Sequence, residues 1–180
     1  MKIDENELVE KLKSKDELAF KKFVLSFKDK AFSLLVGILK DKNLAEDALQ
    51  ESFIKFYFNI SRFRAESSLS TWFYSIVYNT GLNFAKKKNT FTKLHIELDE
   101  ELILGSTTPF EELQLEEESL FLHNAINKLP QNIAAIIILF YLEEFSINEI
   151  NKITNLSTSN IKTMLYRGRK ILKETILIEE

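Results

Sequence analysis

The chain reads as an all-α protein: two small helical domains joined by an acidic linker, the C-terminal one carrying a helix-turn-helix. Three observations predict this. Glycine and proline are scarce, Gly 4 and Pro 2 in 180 residues, which disfavours a turn-rich β fold. Apolar residues recur at helical spacing through most of the chain. Charge is segregated along it. Residues 62–93 hold six cations (62, 64, 86, 87, 88 and 93) against one acid, Glu66, and residues 152–173 hold six cations and no acid. Between them, residues 94–119 hold nine acids and no Lys or Arg. The predicted division is a first domain over 1–93, a linker over 94–116 and a second domain over 117–180.

Composition narrows the function classes. With 45% hydrophobic residues the chain can bury real cores, so it is not a disordered polymer. It has no cysteine, which excludes disulfides and thiolate metal sites. No run approaches the roughly 18 apolar residues of a membrane span, and the acidic start MKIDENE is unlike a signal peptide. A cytoplasmic protein with no membrane insertion is expected. The net charge of −3 speaks against DNA binding by the whole surface, so any contact with nucleic acid falls to the two basic zones.

The first long helix is expected from about Asp16 to Lys40, opened by a Ser14–Glu17 capping box, with Phe20, Phe23, Val24, Phe27, Ala31 and Leu34 on its core side. A second is expected from about Leu44 to Ile60. Its buried side is Ala45, Ala48, Leu49, Ser52, Phe53 and Phe56. Asp47, Gln50, Glu51, Ile54 and Phe58 lie opposite. Apolar residues among carboxylates on an outward face suit a partner-docking surface; packing of Ile54 and Phe58 on another element of the same domain is the alternative. The carboxylates could also suggest a di-iron bundle, but neither His95 nor His123 has a glutamate three residues before it, so no metal site is expected.

A polar loop, Ser61–Thr71, carries Arg62 and Arg64. The next helix is predicted from Thr71 with Ser70 as cap. Phe73, Ile76, Val77, Thr80 and Phe84 form its inward side, and Trp72, Ser75, Asn79, Asn83 and Lys86 a second stripe. Such a stripe suits single-stranded nucleic acid, whose bases stack on rings and offer their edges to amides. A structural tryptophan with a polar flank is the plainer reading. The acidic linker includes a possible short helix at 110–115. After it, Leu120, Phe121, Ala125 and Ile126 make a helical face, and Pro130 opens an almost wholly apolar helix over Gln131–Glu143.

The stretch from Ser146 to Leu172 is the most specific. Ser146 and Glu149 form a capping box, Asn155 and Leu156 make a break, and Ser157 caps a second helix. In that helix Ile161, Leu165 and Leu172 pack inward. Ser159, Asn160, Lys162, Thr163, Tyr166, Arg167 and Lys170 stay outward. A short capped helix, a turn and a basic polar helix describe a DNA-reading helix-turn-helix. An ordinary helical hairpin with a basic face is the alternative.

Three stretches, in this order, resemble one family. AEDALQESFIKFYFNI from Ala45 is similar to the core-polymerase-binding helix of sigma-70 family factors of the short extracytoplasmic-function (ECF) group. STWFYSIVYNTGLNFAKKK from Ser70 is similar to the family's −10 promoter helix, and the segment from Leu129 to Leu172 to its −35-binding domain. The resemblance implies a promoter-specificity subunit that binds core RNA polymerase and directs transcription initiation, with no cofactor and no catalysis of its own. It implies that Asp47, Gln50, Glu51, Phe53 and Ile54 face the polymerase. Arg62, Arg64, Trp72, Asn79, Asn83 and Lys86 would meet the −10 element, the loop from Arg62 holding a flipped base. Ser159, Asn160, Lys162, Thr163, Arg167 and Lys170 would meet −35 DNA. It also leaves room for an anti-sigma factor as partner. Gly168 departs from the family's usual alanine, and glycine inside a helix costs about 1 kcal/mol relative to alanine. The competing function is a stand-alone helix-turn-helix regulator, which would bind palindromic duplex without polymerase.

Overall fold

Local signals start the helices, and in several places the cap is not the residue expected. The computed structural model describes residues 5–96 and 125–179. Helix α1 (Glu5–Lys13), which the sequence pattern did not reveal, buries Val9 and Leu12. Helix α2 (Glu17–Leu39) is capped by Asp16, whose carboxylate accepts from Ala19 N at 2.7 Å. Ser14 is not the cap: its hydroxyl donates back to Lys11 O at 2.9 Å, closing α1 instead. Lys40, in the left-handed region at φ 53°, ends α2, and Asp41 caps α3 (Lys42–Asn59) by accepting from Leu44 N at 3.1 Å. A 3-10 turn at Ile60–Arg62 follows. Helix α4 (Leu69–Ile96) starts two residues earlier than expected. Ser68, not Ser70, takes the capping role, its hydroxyl accepting from Thr71 N at 3.1 Å.

Helices α2, α3 and α4 meet through aromatic rings. Phe23 stacks on Phe56 at 4.2 Å with the ring planes 1° apart, and both stand edge-on to Phe73. Phe53 stacks on Phe73 at 5.0 Å. All four are buried. Such pairs contribute about 0.5–1.5 kcal/mol each beyond the burial of their area, so these four rings are consumed by the core.

The second half begins with a helical turn at 125–127, then α5 (Gln131–Ile137), with Pro130 at its N-cap. The apolar segment was expected to run as one helix to Glu143. It turns instead into a π-helical stretch at Ile138–Leu142, closed by Glu143 N donating to Ile138 O at 3.0 Å. Helices α6 (Ile147–Thr154) and α7 (Thr158–Glu179) complete the described chain. The linker, including the expected short helix at 110–115, and Leu120 and Phe121 lie outside the described residues. Among the described residues there is no strand, and no helix is long and apolar enough to cross a membrane.

The buried apolar residues among those described form one cluster running from Val9 to Leu165. The halves join where α4 turns Tyr74 toward the second half. The Tyr74 ring stands edge-on to Phe145 at 4.9 Å, and its hydroxyl donates to Glu143 Oε2 at 2.5 Å. Desolvation, followed by this bond to a carboxylate, pushes the Tyr74 phenol well above its usual range.

Gly168 has a packing reason. A Cβ there would lie 2.7 Å from Ile137 Cδ1 and Cγ1 and 2.9 Å from Ile133 Cγ2, so α7 can lie against α5 only without a side chain. Overpacking typically costs about 1–3 kcal/mol, which outweighs the helix-propensity gain of about 1 kcal/mol. Gly168→Ala is therefore expected to lower stability. Chemical denaturation checks this; a midpoint raised above wild type would contradict it.

Candidate nucleic-acid interface

The helix-turn-helix is set by short-range hydrogen bonds. Ser146 Oγ accepts from Glu149 N at 3.3 Å, while Glu149 Oε2 accepts from Ser146 N at 2.9 Å and from Ser146 Oγ at 2.6 Å. The capping box is complete. These bonds hold the Glu149 carboxyl below its ordinary value of 4.5, the Ser146 hydroxyl contributing most. Asn155 ends α6 in the left-handed region at φ 58°, which asparagine tolerates. Asn151 Nδ2 donates across the turn to Leu156 O at 2.7 Å. Ser157 Oγ then accepts from Asn160 N at 3.2 Å to open α7. Ile150, Ile153, Ile161 and Leu165 are buried beneath the two helices, which fixes their crossing.

That packing leaves one face of α7 to solvent. Ser159, Asn160, Lys162, Thr163, Arg167 and Lys170 are all exposed on it, with Tyr166 beside them, 66% exposed. Thr163 Oγ1 donates to the Ser159 backbone carbonyl at 3.0 Å, which orients the Thr163 side chain. Lys170 reaches Glu174 at 4.0 Å, an exposed pair that restrains it little.

Helix α3 separates its faces as its spacing requires. Asp47, Gln50, Ile54 and Phe58 are exposed, the last two at 55% and 71%. Packing inside the same domain is therefore not what holds Ile54 and Phe58. Glu51 is half-buried and paired with Lys55 at 2.6 Å. Phe53 is a correction. It sits about 100° around the helix from Ile54 and is spent in the aromatic core, so it does not lie on the outward face with the others.

The stripe on α4 borders a cleft of about 460 Å³ lined by Lys55, Asn59, Arg62, Trp72, Ser75, Ile76, Asn79 and Thr80. Trp72 is half-buried against Phe56 (5.6 Å) and Phe63 (5.3 Å), which gives it a structural role, and it also borders the cleft. Asn79 is exposed and donates from Nδ2 to Ser75 O at 2.7 Å. Asn83 and Lys86 continue along the exposed side. The sequence reading missed Lys55 and Asn59, which reach the cleft from α3. Lys55 Nζ also donates to Thr80 Oγ1 at 3.2 Å, tying α3 to α4. A contact between distant helices leaves no local signal. Arg62 and Arg64 line a second cavity of about 440 Å³, whose opposite wall is Asn151, Lys152 and Asn155 of the helix-turn-helix.

Residues 23–91 match the family model described as Sigma-70 region 2, and residues 122–172 that described as Sigma-70, region 4. The ECF RNA polymerase sigma factor SigW of Bacillus subtilis is 30% identical over 176 residues, covering 93% of this chain and 94% of that protein. This chain belongs to the sigma-70 family, in its ECF group. The ECF RNA polymerase sigma-E factor of Haemophilus influenzae is 29% identical, covering 94% of this chain and 93% of its own. Two solved structures share the fold of this sigma factor. CnrH in complex with the cytosolic domain of CnrY has a TM-score of 0.68 at 14% identity, covering 96% of this chain and 97% of that one. RpoE of Bartonella quintana in complex with the anti-sigma factor NepR has 0.69 at 21%, covering 89% and 98%.

Membership makes this sigma factor a promoter-specificity subunit of RNA polymerase, a partner of the core enzyme and of promoter DNA. The region 2 match spans α3 and the cleft, and the region 4 match spans the helix-turn-helix. A stand-alone regulator is left without an observation in its favour, because the first half is itself a sigma region.

The Glu149 carboxylate contributes stability that is present above its unfolded value, near 4.5, and lost as pH falls through the lower folded one. Glu149→Ala is expected to cost about 1 kcal/mol near pH 7. That difference should shrink below pH 4. Thermal melts of both proteins from pH 7 to 3 check it; a difference constant with pH would contradict the capping role.

Proposed function

We propose that this sigma factor docks on core polymerase through the outward face of α3, reads −35 as duplex with α7, and captures −10 as unpaired strand along α4. The observation that carries this is the cleft beside Asn79. It brings the Trp72 ring, the amide residues Asn59 and Asn79, and the cationic residues Lys55 and Arg62 around one space. Bases that leave the stack need both a surface for their rings and partners for their edges, and the phosphates between them need cations.

The protein makes no covalent change in this reading. Binding the melted strand better than the duplex biases the DNA toward the open state by that difference alone. Core binding uses a different surface, where Ile54 and Phe58 supply apolar anchors among Asp47 and Gln50. On α7, Lys162, Arg167 and Lys170 neutralise phosphate, while Ser159, Asn160 and Thr163 face base edges. The site of action is the cytoplasm, where the polymerase works.

Separate variants test the three surfaces. Ile54→Asp is expected to weaken core-polymerase binding about tenfold or more, the loss typical of an interface anchor, with helicity unchanged. Asn79→Ala should preserve core binding and reduce permanganate reactivity of −10 thymines. Lys162→Ala should lower promoter affinity and reduce the salt slope by about one. Undiminished melting by Asn79→Ala would remove the cleft from the account. Tight binding of palindromic duplex by the free protein would favour an independent regulator.

A further inference from the structure

We propose that α1 is a brace across the two ends of the loop assigned to the −10 strand, with Glu5 and Lys15 as its positioning residues. This rests on the functional reading above. Helix α1 lies ahead of residue 23, where the match to Sigma-70 region 2 begins, and none of its residues lines the cleft. Its two ends are nevertheless each tied to one side of the loop. At the start, Glu5 Oε1 accepts from the N–H of Leu69, the first residue of α4, at 2.5 Å. Just past the other end, Lys15 Nζ donates to Tyr57 O of α3 and stands 4.0 Å from the centre of the Tyr57 ring. Nine helical residues span about 13 Å at 1.5 Å each. One short element thus holds both ends of residues 58–68, the segment that contains Arg62 and Arg64. Between the two ties, α1 packs against the 3-10 turn at Ile60–Arg62 and buries Val9 and Leu12.

Each tie holds something the loop needs. Leu69 is buried, and its N–H belongs to the first turn of α4, where no intrahelical acceptor exists. Ser68 gives its hydroxyl to Thr71 N and its carbonyl to Trp72 N. The Leu69 N–H is met instead by a carboxylate 64 residues away in sequence. One turn further along α4, Trp72 packs on Phe63 of the loop at 5.3 Å and borders the cleft with Arg62 and Asn79. Inside the loop, Ala65 holds a left-handed backbone at φ 57°. A β-carbon disfavours that conformation, and it persists only where the surrounding structure imposes it. Fixed ends supply the constraint. A strand caught by stacking and hydrogen bonds gains from a site already in shape, because ordering the loop at the moment of capture would subtract from affinity.

Trp72 is the chain's single tryptophan, so its fluorescence reports the brace directly. Glu5→Ala removes the acceptor, and Glu5→Gln keeps a carbonyl oxygen in its place. Lys15→Met removes the second tie while keeping a long side chain. In the free full-length protein, acrylamide quenching of Trp72 is expected to rise in Glu5→Ala and Lys15→Met and to stay near wild type in Glu5→Gln. The same proteins are then mixed with core polymerase and a promoter the wild type serves. Glu5→Ala should reduce permanganate reactivity of −10 thymines at least about fivefold, the factor that an orphaned buried donor typically costs. Lys15→Met should reduce it too, and Glu5→Gln should restore most of it. Core binding and affinity for −35 duplex should change in none of the three. The proposal is overturned by wild-type quenching and melting in Glu5→Ala, or by a Gln variant as impaired as the Ala variant. It is also overturned if core and −35 binding fall in step with melting, which would mark a contact needed only for folding. Absence of any core-dependent start from the wild-type chain would sink the functional reading instead, while Trp72 quenching would still report whether α1 holds the loop.

Discussion

Helix α4 has two buried faces, and the structure depends on both. Phe73 enters the aromatic cluster with Phe23, Phe53 and Phe56, which locks α2, α3 and α4 together. Tyr74, one residue and about 100° further round, points the other way, to Phe145 and Glu143. The remaining strip, half-buried at Trp72 and exposed at Asn79, Asn83 and Lys86, is the one we assign to DNA. A single helix thereby sets the first core, seats the second half and presents the strip assigned to the −10 strand.

The same division of faces explains how a chain of net charge −3 can serve DNA. Phosphate attraction acts over roughly a Debye length, about 8 Å at physiological ionic strength, so local sign matters more than the total. From Thr158 to Lys173 the exposed side of α7 carries cations and no acid, and Glu174 follows at its end. The acids of α3, Glu46, Asp47 and Glu51, belong to the helix whose outward side is assigned to a protein partner. One turn separates Ile54 from Phe58, giving that side an apolar ridge that solvation alone does not explain.

Much of this was legible where the signal is local. The Ser146–Glu149 box, the Asn155 break and the Ser157 cap are each fixed within a few residues, and the helix-turn-helix forms where they place it. The buried side of α3 follows from spacing alone. What could not be read depends on distant contacts. Tyr74 stands outside the inward face that spacing predicts for its helix, and its contacts with Glu143 and Phe145 lie 69 and 71 residues away in sequence. Gly168 looked like a helix defect until Ile133 and Ile137 came against it. Neighbouring cap candidates were ambiguous: Ser14 and Ser70 carried the expected pattern, but Asp16 and Ser68 had the geometry. Phe53 and Ile54 are adjacent in sequence, so a resemblance that included both could not separate the core residue from the surface one.

The central claim is that one polypeptide supplies core polymerase with recognition of two separated elements. Mapping of transcription starts on genomic fragments, with purified bacterial core polymerase and this protein, tests it most directly. The account predicts discrete starts that require the protein and share two upstream motifs, the nearer of them melted in the open complex. Retention of duplex DNA without core-dependent starts, or starts with no shared upstream elements, would contradict it.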